Sequence, residues 1–230
     1  MAGRTLRVGL AMAAAAGALA VHPAAAQRPV DGGRALWQRA VALAAQSSDM
    51  IPGVMTFQME EVRPNGEVVR TQGARYELDE QPPAAVLRQV ARTADGVPSD
   101  LEEDARPAAE VRPDTPLDLP VESALTYEWL ERVRVSGVMC ERFTFAGTDQ
   151  EGRQLVGDLC IDPASAAPVE VRSTFDRLPP LVHELDFVMT FTSYGDRWAP
   201  AEVVTTGRAG LFGRRLFTVT LGFVDWRSPA

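Results

Sequence analysis

Val138-Met139-Cys140-Glu141-Arg142-Phe143-Thr144-Phe145-Ala146 runs through Gly147-Thr148-Asp149-Gln150-Glu151-Gly152 into Arg153-Gln154-Leu155-Val156-Gly157-Asp158-Leu159-Cys160-Ile161. Two alternating segments around a polar, glycine-bearing turn predict a β-hairpin centred near Gln150. Pairing symmetric about that residue sets Cys140 opposite Cys160, Arg142 opposite Asp158 and Phe145 opposite Leu155. Side chains alternate along a strand, so Phe143, Phe145, Leu155, Leu159 and Ile161 share one apolar face. The other face carries both cysteines with Arg142, Thr144 and Asp158.

The same two-residue period continues on both sides of this hairpin. Upstream, Met55, Phe57 and Met59 share a face, Pro64-Asn65-Gly66 turns, and Val68 to Leu78 places Tyr76 and Leu78 together. Ala84 to Thr93 fits either a helical turn (Val86, Leu87, Val90) or a strand. Leu125, Tyr127 and Trp129 alternate inward just before the hairpin. Downstream come Val169 to Phe175, then His183 to Tyr194 with Leu185, Phe187, Met189 and Phe191 on one face. Trp198 to Thr206 follows, and Leu216 to Trp226 closes the chain with Phe217, Val219, Leu221 and Phe223 aligned. About nine or ten antiparallel strands result by this count of turn signals.

Ahead of the strands, Asp31 to Ser48 has a helical stripe of Leu36, Trp37, Ala40, Val41, Leu43 and Ala44. Residues 97–120 are rich in proline and hold the acidic run Asp100-Leu101-Glu102-Glu103-Asp104, which reads as a connection or flap. A long antiparallel sheet with one apolar face must curl and be covered. The expected fold is therefore mainly β, with some α. It is a curved antiparallel half-barrel covered by the N-terminal helix and by a flap over residues 84–120.

Residues 1–26 predict a different fate for the first stretch of chain. Arg4 and Arg7 precede an apolar run from Val8 to Val21, and His22-Pro23-Ala24-Ala25-Ala26 leads to Gln27. This is the pattern of a cleaved secretory signal peptide. The run is short for a membrane span and lacks a charged far flank. No cysteine follows the cleavage point to take a lipid. Residues 27–230 are expected to form one domain of 204 residues in the periplasm, and not an integral membrane protein.

Composition removes several function classes. The net charge of the 230-residue chain is −8, and losing Arg4 and Arg7 with the leader takes it to −10. Such a surface offers no footprint for nucleic acid and is repelled by anionic membranes. All 23 basic residues are arginine, so lysine Schiff-base chemistry and a P-loop lysine are excluded. His183 is the only imidazole beyond the leader, and it reads as a solvated or hydrogen-bonded strand residue. No Gly-x-Ser-x-Gly occurs, and no set of zinc ligands is present. Gly207-Arg208-Ala209-Gly210-Leu211-Phe212-Gly213 lacks phosphate-loop spacing and reads as a hairpin turn. The acidic run lacks the alternating oxygens of a calcium loop. No catalytic residue, metal ligand or cofactor is assigned.

An even cysteine count in an oxidising compartment points to a Cys140–Cys160 disulfide, supported by the hairpin pairing above. What remains for binding is the apolar face: Met55, Phe57, Met59, Tyr76, Trp129, Leu185, Phe187, Met189, Phe191, Phe217 and Leu221. Methionine and aromatic walls adapt to flexible ligands such as acyl chains. They equally suit a dry, filled core.

The order of features resembles the LolA/LolB-like superfamily, the periplasmic carriers and receptors of outer-membrane lipoproteins. A leader and amphipathic helix precede paired strands ending in Gly73-Ala74-Arg75-Tyr76-Glu77-Leu78. Later, Ile161-Asp162-Pro163-Ala164-Ser165-Ala166-Ala167-Pro168-Val169-Glu170-Val171 is similar to that superfamily's Asp-Pro-x-Thr-Gly-x-Pro turn, with Ser165-Ala166 in place of Thr-Gly. Arg75-Tyr76 echoes a Pro-x-x-Phe-Arg-Trp-like strand without its proline or tryptophan, so no lid arginine is carried over. The missing lipidation cysteine argues against the anchored receptor. The resemblance implies a non-enzymatic carrier for a lipid, lipoprotein acyl chains or a similar amphiphile. The alternative is a cell-envelope interaction or sensor module with a filled core, and hence an envelope protein partner.

Overall fold

Alternation of apolar and polar residues gives strands that bury one face, and the chain answers with a single antiparallel sheet. The computed structural model describes residues 30–80, 85–101, 105–118, 125–148, 154–178, 180–210 and 215–228. One α-helix, α1 (Val30–Ala45), precedes twelve strands. They are β1 (Val54–Val62), β2 (Val68–Asp79), β3 (Val86–Ala94), β4 (Val97–Pro98), β5 (Ala105–Pro107) and β6 (Leu125–Val135). After these come β7 (Val138–Thr148), β8 (Gln154–Ile161), β9 (Pro168–Phe175), β10 (Val182–Tyr194), β11 (Arg197–Ala209) and β12 (Arg215–Val224). The order across the sheet is β4-β3-β2-β1-β12-β11-β10-β9-β8-β7-β6, with β5 also on β3. The edge strands β4 and β6 do not pair, so the sheet is an open, curved half-barrel.

Chain order and sheet order differ at one informative place. β5 lies at one edge and β6 at the other. The connection between them has to cross from edge to edge. Its described part begins with a one-turn 3₁₀ helix, Ala108–Glu110, and runs to Asp118. Ala108 and Leu117 are buried in the core cluster, so this segment is a strap over the apolar face. The Ala108 amide donates to the Ala85 carbonyl at 3.1 Å, and the Asp118 carboxylate pairs with Arg112 at 2.9 Å.

The cover on the other side is α1. Leu36, Trp37, Ala40, Val41 and Ala44 form a buried stripe at helical spacing, while Arg34, Gln38 and Arg39 are exposed. The helix ends at Ala45, three residues before the expected Ser48. The serines that follow are engaged elsewhere: Ser48 Oγ donates to the Ala45 carbonyl at 2.9 Å, and Ser47 Oγ accepts from the Trp198 amide at 3.1 Å. Small hydroxyl side chains compete with the helical ladder in this way.

Two expectations are corrected. Residues 86–94 belong to β3 and 105–107 to β5, so the cover is not a flap starting at residue 84 but the shorter strap from Ala108. Val90 misled the helical reading, because it is 43% exposed on the sheet while Leu87 is fully buried. The hairpin pairs Phe143 with Leu159 and Arg142 with Cys160, a register two residues away from symmetry about Gln150. A two-residue slip preserves the face of every side chain, so Phe143, Phe145, Leu155, Leu159 and Ile161 still share the apolar side. The turn centre itself, residues 149–153, lies outside the described residues.

Candidate functional site

Register turns the apolar alternation into rows. Phe57 opposes Ala74 and Leu221; Leu221 opposes Val203; Val203 opposes Met189. Met189 opposes Val171, Val171 opposes Leu159, Leu159 opposes Phe143, and Phe143 opposes Trp129. A neighbouring row joins Met59, Val219, Thr205, Phe187, Ser173, Gly157, Phe145 and Tyr127. To one side Met55 lies between Tyr76 and Phe223. To the other, Phe217 opposes Gly207 and Gly207 opposes Leu185. A Cβ at Gly207 would overlap the Phe217 ring, so glycine is required for that ring to lie across the strand. Phe191 lies further along β10, past a register shift, and packs against the core. The eleven residues read as an apolar wall therefore occupy one face.

Their covers divide them. Under α1, Trp37 stacks on Tyr127 with centroids 4.1 Å apart and meets Phe143 edge-on at 5.6 Å. A Cβ at Gly33 would stand 3.3 Å from the Trp129 Cβ, so helix and sheet are close there. Met189 is buried at 8% exposure within the core cluster. This half is filled.

Under the strap the packing is incomplete. A pocket of about 500 Å³ opens between Met55, Phe57, Tyr76 and Leu221 on β1, β2 and β12, Arg106 and Pro107 on the edge strand β5, and Glu110 and Val111 on the strap. Its size lies within the span of small-molecule sites, roughly 300–1,000 Å³. Four of the expected wall residues meet here. Arg106 holds its guanidinium over the Tyr76 ring, 5.5 Å from the centroid. Arg106, Pro107, Glu110 and Val111 were not singled out from sequence, because they sit in a proline-rich stretch with no periodicity. Met59, Leu185, Phe187 and Phe217 are half-buried along the rest of the face. Phe187 meets Phe175 edge-on at 5.6 Å.

A charged cluster at the α1 end also escaped the sequence reading. Glu141 is fully buried on the apolar side of β7, next to Phe143 in alternation. It accepts from Trp129 Nε1 at 2.8 Å and from Arg132 at 2.9 and 2.7 Å. Trp129 and Arg132 are three apart, which on a regular strand puts them on opposite faces. A bulge between Trp129 and Glu131 absorbs one residue and brings Arg132 round. The extra residue, Leu130, is 51% exposed. This cluster orients Trp129; it is structural support for the filled half.

The cysteines lie on the outer face. Cys160 opposes Arg142, not Cys140, which corrects the expected direct pairing. Both are free, buried thiols. They are diagonal neighbours across the β7–β8 pair, and burial, with the neighbouring Cys160 adding to it, pushes the Cys140 thiol up to about 12. The Arg142 guanidinium, held by Cys160, is raised further above its usual range.

In the Asp-Pro turn, Asp162 accepts from the Ala164 amide at 3.0 Å and from Ser165 Oγ at 2.6 Å. Burial tends to raise its carboxyl, but the hydrogen bonds from Ser165 and the Ala164 and Ser165 amides outweigh it and hold the group below 3.8. Ala166 has φ of +63°, the left-handed region that glycine adopts without cost.

His183 is exposed, with Nε2 3.0 Å from the Gly210 carbonyl oxygen at the open end of the β10–β11 hairpin. The leader, Glu102–Asp104 of the acidic run, and residues 211–213 of the glycine-rich stretch lie outside the described residues. Among the described residues no helix is long and apolar enough to cross a membrane.

No family model matches the sequence, and no curated protein matches it. Solved structures do resemble the fold. A domain from Vibrio parahaemolyticus described as an outer-membrane lipoprotein-sorting protein superposes with a TM-score of 0.41 at 13% identity, covering 82% of this chain and 91% of its own. A LolA superfamily protein from Nitrosomonas europaea gives 0.39 at 9% identity, over 84% and 92%. MucB in complex with MucA(peri) gives 0.24 at 12% identity, over 87% and 99%. The chain is thus similar to LolA-superfamily structures, at identities and scores that assign it no ligand.

Proposed function

We propose that this chain is a non-enzymatic periplasmic binding or carrier protein, made with a cleaved leader, that holds the apolar part of a lipid, lipoprotein acyl chain or similar amphiphile. The observation that carries the reading is the pocket between β1, β2, β12, the edge strand β5 and the strap, with apolar side chains on its β1, β2 and β12 wall and Arg106 and Glu110 on the opposite side. Each acyl methylene moved from water into such a wall contributes about 0.8 kcal/mol, so a few covered methylenes suffice for measurable affinity. The filled half under α1 supplies the rigid support, and the half-buried Met59, Phe187 and Phe217 extend the apolar surface beyond the pocket.

The test is direct. Solvent extraction of protein purified from the periplasm should release lipid detectable by mass spectrometry, and the mature N-terminus should be Gln27. Wild type should take up a fluorescent fatty acid. Leu221→Asp, which puts a carboxylate on a half-buried wall position, should take up at least tenfold less while keeping the wild-type circular dichroism spectrum. If wild type takes up none, or the folded Leu221→Asp protein takes up as much, the interaction module with an envelope protein partner becomes the better reading.

A further inference from the structure

Glu67, Asp95, Asp162, Asp176 and Asp196 put a carboxylate into each of five described turns between strands. The β6–β7 turn has none: residues 133–140 read Val-Arg-Val-Ser-Gly-Val-Met-Cys, in a chain with 31 acidic residues. Ser136 and Gly137 both have positive φ, +48° and +85°, the backbone of a tight two-residue hairpin turn. The β7–β8 pairing ends at Glu141–Ile161, so the pairs Arg134–Met139 and Val135–Val138 form a two-stranded end that β8 does not flank. Val138 and Met139 are each 41% exposed there, and Val133 and Val135 are half-buried. Arg134 Nη1 donates to the Gly137 carbonyl at 3.0 Å, which bridges the turn and leaves the guanidinium's charge without a carboxylate among the described residues. The hairpin therefore ends in a braced tip of aliphatic side chains with a cation and no anion.

Such a tip is too small for a protein partner, since a stable protein interface takes roughly 20–30 residues a side. A bilayer asks for less: an apolar surface set about 5–10 Å into the headgroup boundary holds a protein there reversibly. Two residues along an antiparallel strand advance about 7 Å, so the end from Val133 to Val135 matches that depth. Arg134 then lies among the headgroup phosphates, where a cation is favoured. The rest of the chain, with a net charge of −8, is held off an anionic surface, which confines the contact to the acid-free tip. We infer that the β6–β7 hairpin tip is a membrane-docking point that sets Val135, Val138 and Met139 into the surface of a phospholipid bilayer. The tip lies at the β6 edge of the sheet, and the strap pocket lies between β1, β2, β12 and β5. Docking and ligand binding are thus carried by different strands.

Flotation of the mature protein with vesicles of phosphatidylethanolamine and phosphatidylglycerol is the test. Wild type should float with the vesicles. Raising the salt should leave the binding unchanged or strengthen it, because apolar contact holds the tip and salt screens the repulsion of the acidic chain. The double variant Val138→Asp, Met139→Asp should bind about tenfold less or weaker still, since its carboxylates would have to enter the bilayer surface. Both positions are exposed, and an unchanged circular dichroism spectrum checks that the fold is kept. Val97→Asp is the control: that valine, 63% exposed in β4, should float as wild type does. Fatty-acid uptake should be the same in all three proteins. Wild type that does not float, a folded double variant that floats as well as wild type, an equal loss in Val97→Asp, or binding abolished by salt overturns the docking assignment. None of these outcomes touches the strap pocket, whose own test is uptake.

Discussion

The two halves of the concave face start from the same kind of sequence and end differently. Under α1 the sheet meets a continuous helical stripe, and Trp37, fully buried, fills the space above Tyr127 and Phe143. Under the strap the sheet meets one turn of 3₁₀ helix and an irregular stretch, whose buried residues are Ala108 and, further on, Thr115, Pro116 and Leu117. A helix offers side chains every third or fourth residue along its length. A strap offers a few, spaced by its anchors. Whether an apolar face becomes core or cavity is therefore decided by the covering element, not by the wall. Tyr76, Phe57 and Leu221 are no less apolar than Tyr127, Phe143 and Leu159.

The largest effect should come from removing the filler. Trp37→Ala should cost about 3–5 kcal/mol, the usual loss for a buried large aromatic side chain, read as a drop in the urea midpoint. Leu221→Ala, on the pocket wall, should cost only about 1 kcal/mol because its side chain is already half-solvated. If the two substitutions cost the same, the halves are equally packed and the division between core and cavity is wrong.

The disulfide is the next test, and it bears on the filled half, whose strands β7 and β8 carry the two thiols. In the oxidising compartment proposed for this chain the pair is expected to oxidise, since the two cysteines are diagonal neighbours on β7 and β8. The cross-link should stabilise by about 3 kcal/mol in the chain-entropy model, measured as the difference between oxidised and reduced protein. Denatured, unreduced mature protein should show no free thiol; finding two ends the idea. Lipid uptake through the strap pocket should be the same in both forms.

What the chain made legible was parity. Alternation at Met55, Phe57 and Met59, or at Phe187, Met189 and Phe191, assigns a face whatever the exact pairing, because a slip of two residues leaves it unchanged. Register was not legible: Cys140 and Cys160 read as opposed, and the true partner of Cys160 is Arg142. Bulges were not legible either. Arg132 joins Glu141 only because Leu130 is extruded, and nothing local marks that position. The pocket was half legible. Its wall on β1, β2 and β12 follows from periodicity, while Arg106 and Pro107 are placed by the pairing of the short β5 with β3, and Glu110 and Val111 by a chain crossing between distant strands.

The smallest effect concerns the Asp-Pro turn, which joins β8 to β9 beneath α1; Arg39 of that helix donates to the Ala164 carbonyl at 3.2 Å. Ser165 Oγ donates to the Asp162 carboxylate and in turn accepts from the Ala167 amide at 3.2 Å. Ser165→Ala removes both, at a cost of about 1 kcal/mol near neutral pH. The sign of the pH dependence follows from the Asp162 carboxyl, which lies below 3.8 when folded. A carboxyl lowered by folding stabilises the folded state above its unfolded value, and that stabilisation fades as pH falls through the folded value. Ser165→Ala brings the folded Asp162 back toward 3.8, so wild type and variant should differ by a constant amount from neutrality down to about pH 5. Below pH 4 the gap should narrow, as wild type loses what the variant never had. Urea unfolding of both proteins across that range is the measurement. A gap that stays constant into acid would mean that the hydroxyl serves only the Ala167 amide, and that the turn under the filled half is held without the carboxylate's charge.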